Sequence, residues 1–376
     1  MVRVEKIDTQ SKRDVRRFIK LYFDIHKNLP RWVPPFIGDL KLMLNRQKHP
    51  FYEHSDGDFF LALRGDEVVG RLAVLENKPF NKYHETKKAQ FYFFDCYDDQ
   101  EAANTLFERG FEWARARGLN EIVGPKGLSA FDGYGIQVEG LELRQMMNMM
   151  NYNPGYYARL VETIGFEKEV DFASCYIDPK NFHIPESVYE IARRVRQRGT
   201  FQVKTFRSKR ELMDWALRIG RAYNETFINN WEYYPLSDKE IDYVKNNLLA
   251  FADHRLIKLI TYNDTEVIGF LLGFPDVSAA MQRHGGRLTP WAIADLLLEM
   301  RRTEWLSLNG VGVLPKYHGR GANALLYVEM EKTLQDYKFK HAELTQMAET
   351  AVQVRKDMVS VGAQIYKVHR VYHRSI

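Results

Sequence analysis

LSLNGVGVLPKYHGRGANALLYVEMEKTL, residues 306–334, is the stretch whose reading decides the fold of this chain. It opens as an apolar strand carrying Gly310 and Gly312 and runs into Lys316-Tyr317-His318-Gly319-Arg320-Gly321. A helix is predicted from about Ala322, with Leu325, Leu326, Met330, Leu334 and Tyr337 on its core face. Glycine-bearing turns at helix N-termini bind phosphate, because unpaired N–H groups and the helix dipole point at the anion. Gly319 and Gly321 would let the backbone approach a ligand closely, and Lys316 and Arg320 add positive charge. A dinucleotide-binding reading fits less well, since there is no G-x-G-x-x-G and no βαβ unit opening the domain. The nucleotide-binding pattern G-x-x-x-x-G-K-[ST] is absent.

Working outward, three landmarks recur along the chain at nearly one offset. Ser11 and Asp14 form a helix start of the S-x-x-D kind, and Ser208 and Glu211 repeat it 197 residues later. The hairpin LALRGDEVVGRLAV closes on Gly70, and LITYNDTEVIGFLLG closes on Gly269, 199 residues on. Gly165 ends a helix in VETIGFEKEV, and Gly362 ends one in MVSVGAQIYKV, again 197 residues on. Each copy then reads helix, two strands, third strand, helix, fourth strand, helix ending in glycine, and a final strand or pair. Antiparallel strands followed by strand–helix–strand units give an α/β (α+β) fold, a mixed sheet with helices on both faces. The expected domains are 1–178, a linker with one basic helix at 179–200, and 201–376. The first copy carries a glycine-rich insertion from Gly124. The second carries one from Gly273, where Thr289-Pro290 starts a helix.

Length favours two domains, and a hydrophobic fraction of 45% with 27% charged residues is that of a globular protein. The net charge of +5 suits a small anionic ligand but is too mild to argue for nucleic acid. Cys96 and Cys175 have no ligand spacing and read as buried reduced thiols, so no metal is expected. No apolar run reaches the roughly 18 residues of a membrane span, and the charged N-terminal stretch does not read as a signal peptide. A cytoplasmic protein without a membrane partner is expected.

The loop at Lys316–Gly321 resembles the signature of the GNAT superfamily of acyl-CoA N-acyltransferases, Q/R-x-x-G-x-G/A between the fourth strand and third helix. Here it reads K-x-x-G-x-G, Lys316 keeping the charge of the first position. The following HAELTQMAE, the helix ending at Gly362 and QIYKVHRVY fit the same pattern. YNETFINNW from Tyr223 and the PDVSAAMQR insertion extend the resemblance to bacterial tandem-GNAT proteins over nearly the full length. The resemblance implies two tandem GNAT-like domains, each a mostly antiparallel sheet flanked by helices, with acetyl-CoA or another acyl-CoA as co-substrate. The implied coenzyme-binding run is Gly312, Val313 and Leu314 on the strand end, then Lys316, Tyr317, His318, Gly319, Arg320, Gly321, Ala322 and Asn323. In it the amides near Gly312 and Val313 polarise the thioester carbonyl and those of the turn hold pyrophosphate. Paired glycines in the strand would permit a bulge that opens a slot for pantetheine.

The first copy departs at this place, entering its helix through Asp98, Asp99 and Glu101 with no glycine. Acidic side chains cap helices and oppose bound phosphate, so the first domain is expected to keep the fold and lose the coenzyme. The second copy departs in its last helix, TAVQVRKDMVSVG, which lacks the tyrosine that many members use as an acid. The substitutes are Glu349 after strand five, Glu304 at the head of strand four and Tyr366 past the helix. Ser129, Asp132 and Glu139 sit in the Gly124 insertion and could line a groove for an amine. Met146, Met147, Met149 and Met150 read chiefly as deformable core, with a lipophilic acceptor surface as the second reading. Trp291 through Met300 reads as a buried insertion helix or a dimer contact.

Three functions stay open on this reading. The first is acyl transfer to a small-molecule or peptide amine by a monomer or homodimer. The second is an aminoacyl transferase of the Fem type, which has no need of the glycine loop. The third is a protein that binds a coenzyme A thioester without turnover.

Overall fold

The computed structural model describes residues 1–376 except 130, 249–251 and 338, and leaves aside the side chains of 246–248. It divides into two compact units. The first comprises Met1–Phe172, Ser278–Leu296 and Lys367–Ile376, and the second Ala173–Val277 and Leu297–Tyr366.

In chain order the elements are β1 (Val2–Lys6), α1 (Lys12–His26), α2 (Ile37–Met43), β2 (Asp56–Arg64), β3 (Glu67–Glu76), α3 (Lys78–His84), β4 (Lys88–Cys96), α4 (Gln100–Arg115), β5 (Glu121–Gly124), β6 (Ile136–Glu139), α5 (Tyr157–Thr163) and β7 (Glu167–Ile177). There follow α6 (Glu186–Arg198), β8 (Phe201–Lys204), α7 (Lys209–Thr226), α8 (Asp238–Leu248), β9 (Ile257–Tyr262), β10 (Glu266–Pro275), α9 (Ser278–His284), α10 (Pro290–Arg302), β11 (Trp305–Val313), α11 (Ala322–Asp336), β12 (His341–Ala348), α12 (Val352–Ser360) and β13 (Gln364–Ser375).

The sheet of the first unit runs β1-β2-β3-β4-β5-β13, with β6 also on β13; that of the second runs β12-β11-β10-β9-β8. Pairing is antiparallel except for β4 with β5 and β11 with β12. The repeated helix starts form as expected: Ser11 Oγ accepts from the Asp14 amide at 3.3 Å, and Ser208 Oγ from the Glu211 amide at 3.2 Å. Both hairpin turns use left-handed backbone, at Gly65 in the first and at Asn263 and Asp264 in the second.

The first unit's core packs Phe91, Phe107, Phe111 and Phe166 between α4 and the sheet. A second layer, with Phe18, Phe51, Phe59 and Phe93, fills the opposite face under α1. Both cysteines are buried and unpaired, and burial pushes the Cys96 thiol up to about 12.

Of the two expectations for residues 291–300, the buried helix fails and the dimer contact stays open. Only Ala292, Leu296 and Glu299 of α10 face inward, while Trp291 is 81% exposed and Ile293, Leu297 and Leu298 are about half exposed. The helix is therefore not buried all round, because a single i, i+4, i+7 stripe meets its surroundings.

Candidate functional site

In the second unit β11 and β12 run parallel and pair only from Trp305 opposite His341 to Leu308 opposite Leu344. Beyond that point β11 stays on β10, Gly310 lying opposite Leu272 and Gly312 opposite Phe270. The register slips between Leu272 and Gly273, which leaves Asn309 as a bulged residue. A bulge bends its strand, and here it takes β11 away from β12. Gly312 is required by close approach, since a Cβ there would lie 2.4 Å from Thr226 Cγ2 at the end of α7. The Leu314 amide donates to Ile268 O at 2.8 Å. Backbone groups alternate in direction along an antiparallel ladder. The amides of Gly312 and Leu314 are thus spent on β10, and that of Val313 faces the opening.

Past β11 the chain makes one 3-10 turn at Pro315–Tyr317 and enters α11 through Gly319 and Gly321, both left-handed at φ +72° and +89°. The His318 amide donates to Pro315 O, that of Arg320 to Tyr317 O and that of Ala324 to Gly321 O. Among the described residues, the amides of Gly319, Gly321, Ala322 and Asn323 have no partner, and no side chain caps the helix. Four donors converging on a helix N-terminus are what a pyrophosphate needs.

Loop side chains are partly committed. Lys316 Nζ is 2.6 Å from Glu266 Oε1 on β10, and Tyr317 OH donates to Glu266 Oε2 at 2.9 Å. That contact raises the Lys316 amine and lowers the Glu266 carboxyl. His318 Nε2 reaches Val313 O at 2.8 Å, bracing the strand end. Arg320 lies over the Tyr317 ring.

The first unit repeats the opening without the loop. Its β4 and β5 pair in parallel only from Lys88 to Gln90, and β4 bulges between Asp95 and Tyr92, with Phe93 at φ 48°.

No family model matches the sequence. The chain is 25% identical over 379 residues to a bacterial ceramide synthase of Caulobacter vibrioides, covering 98% of this chain and 97% of that protein. It is 22% identical to protein YghO of Escherichia coli, covering 97% and 94%. Among solved structures it is similar to a tandem GNAT protein from the clavulanic acid biosynthesis pathway, with a TM-score of 0.54, 10% identity and coverage of 100% and 98%. A GCN5-related N-acetyltransferase from Sphaerobacter thermophilus gives 0.52, with 13% identity and coverage of 100% and 95%. The chain has the tandem GNAT fold.

Within that GNAT framework the three acid–base candidates fall in different places. Glu349 follows the last residue of β12, five positions beyond Leu344, as Val313 is five beyond Leu308 on the parallel strand. Both therefore stand at the open end. Glu304 precedes β11 and bonds Lys340 at 2.5 Å, which puts it at the other end of a nine-residue strand. At about 3.3 Å per residue it is roughly 30 Å from Val313, so the structure does not bring it to the slot. Tyr366 OH donates to Glu343, a fully buried carboxylate on β12 opposite Ser307. This partner was not anticipated, and neither was Gln346, left-handed at φ 61° where the strands part. A non-glycine residue in that conformation stores strain of the kind found at functional sites.

The α4 N-terminus of the first unit is already filled. Asp99 Oδ1 accepts from the Ala102 amide at 3.1 Å, and Arg64 bridges Asp99 and Glu101. A buried polar cluster lies near the strand opening instead. Arg71 forks onto Asp95 at 2.6 and 2.7 Å and is enclosed by the rings of Phe18, Tyr22 and Phe93. Tyr157 OH donates to Asp95 Oδ1 at 3.1 Å, and burial holds the tyrosine well above its usual range. His26 is fully buried and pushed downward by desolvation. No local pattern announces this cluster, since its members come from α1, β3, β4 and α5. Glu121, Glu169 and His373 lie close enough to share a cation, but Lys88 sits 3.4 Å from Glu121 and supplies one.

Lys316→Ala both removes a cation and uncovers Glu266 beside the loop. It is expected to weaken coenzyme A several-fold, more at low salt than at high. Lys316→Ala with Glu266→Gln should recover most of the loss in a calorimetric titration. If the double variant binds no better than the single one, Glu266 is not felt at the phosphates.

Proposed function

We propose that this chain transfers an acyl group from an acyl-CoA thioester to an amine, with the coenzyme held by the second unit. The carrying observation is the set of four unpartnered amides at Gly319, Gly321, Ala322 and Asn323, beyond an opening between two parallel strands. The outward amide of Val313 also fits a thioester lying in that opening. Acetyl-CoA or a longer acyl-CoA supplies the activated carbonyl. The first unit, whose corresponding helix start holds Asp99 in its own cap, is read as not binding it.

The protein's own groups then have separable tasks. The loop amides and Arg320 hold the diphosphate, and the Val313 N–H stabilises charge growing on the carbonyl oxygen. Glu349 takes the proton the amine must lose, directly or through a water. The Tyr366 hydroxyl, already donating to Glu343, holds that carboxylate in place. The similarity to a bacterial ceramide synthase favours the amine of a long-chain base as acceptor, since a ceramide is such a base N-acylated. A Fem-type reading is not favoured, because it leaves the amide cluster without a role.

Glu349→Gln is expected to lower kcat/KM by on the order of a hundredfold and leave coenzyme affinity nearly unchanged. Thiol release with a long-chain amine measures the first, and calorimetry the second. A variant turning over at full rate would remove Glu349 from the mechanism.

A further inference from the structure

A cavity of about 210 Å³ lies within the first unit, beside the opening of β4 from β5. By volume it holds roughly seven non-hydrogen atoms at about 30 Å³ each. Much of its wall is apolar and deformable, with Met146, Met147, Met150 and Met281 facing Phe93 and Ile136. Methionine adapts to ligands of varied shape because it is unbranched and polarizable.

The charges in this wall do not balance. Its one cation among the described residues, Arg71, is consumed by Asp95. Two other carboxylates line it, Asp39 on α2 and Asp132 in the insertion after β5. Among the described residues neither has a cationic partner. Asp132 accepts from Ser129, through its amide at 2.7 Å and its hydroxyl at 3.2 Å, and from the Leu128 amide. Burial, with Asp39 adding to it, raises the Asp132 carboxyl to about 6. Asp39 is exposed on α2, where it lines the cavity. A third group points the same way. Gln145 is 8% exposed, and its NH₂ is spent on Gly140 O and Leu143 O. Among the described residues its amide oxygen, a pure acceptor, meets no donor, and the residue lines the cavity.

We propose that this cavity binds a primary ammonium carrying an apolar chain. Asp39, Asp132 and Gln145 receive the N–H donors, and the methionine wall receives the first carbons of the tail. An ammonium is the complement to this lining: it offers three donors and no acceptor, and it neutralises carboxylates that otherwise lie near each other uncompensated. A carboxylate or phosphate would meet two like charges, and a plain alcohol would leave them unneutralised. The proposal is argued from this lining alone and does not depend on the N-acyltransferase reading.

The test is calorimetric titration of the full chain with decylamine, decanol and decanoate below their aggregation concentrations, without coenzyme. Decylamine should bind at one site, at least tenfold tighter than decanol, and decanoate should not bind. Asp39→Asn should weaken decylamine by at least tenfold and leave decanol unchanged. Asp39 lies on the surface, so its replacement does not threaten the fold; Asp132→Asn, which touches the Ser129 turn, is the second variant. Equal binding of amine and alcohol, or full amine affinity in Asp39→Asn, would overturn the proposal. Because no thioester is present, binding that follows this pattern in a protein without acyl transfer would sink the proposed activity and leave the site standing.

Discussion

Gly321→Val is expected to abolish measurable coenzyme A binding, a loss of at least about a hundredfold. Gly321 is the N-cap of α11 at φ +89°, a conformation a β-branched residue does not adopt without strain. Relaxing that strain turns the amides of Gly321 and Ala322 away from their common focus. The site has a second constraint: a Cβ at Gly321 would lie 2.6 Å from Val195 Cγ2 and 3.1 Å from Ile191 Cγ2, both on α6. The substitution therefore also pushes α6 from the loop, and some stability is lost with it. Gly321→Val with Val195→Ala separates the two effects. Removing the Val195 methyls should recover thermal stability but not coenzyme affinity, because the backbone strain remains. Restored affinity in the double variant would mean that α6 packing, and not the direction of the amides, sets the binding.

Val313→Pro is expected to cut kcat by about a hundredfold to a thousandfold while coenzyme affinity changes little. Proline has no N–H, and the Val313 amide is not a rung of the β10 ladder, so the sheet loses no hydrogen bond. Leu314, one residue on, is the rung: its amide donates to Ile268 O, and Leu314→Pro should instead destabilise the second unit. Comparing the two variants by turnover and thermal melting distinguishes a missing oxyanion donor from a damaged strand. Loss of coenzyme affinity in Val313→Pro would place that residue in binding rather than catalysis.

The glycine turn before α11 was legible because its signals are local. Gly319 and Gly321 are both left-handed, and α11 begins at Ala322 as expected. The duplicated helix starts and hairpins were legible for the same reason, since a cap or a turn is written in four residues. What was not legible depends on partners far away in the chain. Lys316 is a free cation in the sequence and an ion pair with Glu266 in the structure. The basic helix α6 reads as a linker, yet its Val195 and Ile191 pack on the loop glycine. Tyr366 finds Glu343 23 residues away. The choice of Glu304 neglected a point the sequence does contain. The loop follows β11, so the opening lies at that strand's C-terminal end and a residue at its head cannot reach it. The methionine run was read chiefly as core; Met146 and Met149 are each 5% exposed, and Met146, Met147 and Met150 also line a cavity. Local pattern could not decide this, because the cavity is closed by α1, α2 and β4.

The most direct test of acyl transfer is stoichiometric. The full chain is incubated with an acyl-CoA and a long-chain primary amine, and free thiol and amide are quantified in the same sample. The account predicts thiol release that requires the amine, matches amide formation one to one and disappears in Gly321→Val. Saturable coenzyme binding with no amine-dependent thiol release, for every acyl chain and amine offered, would contradict it.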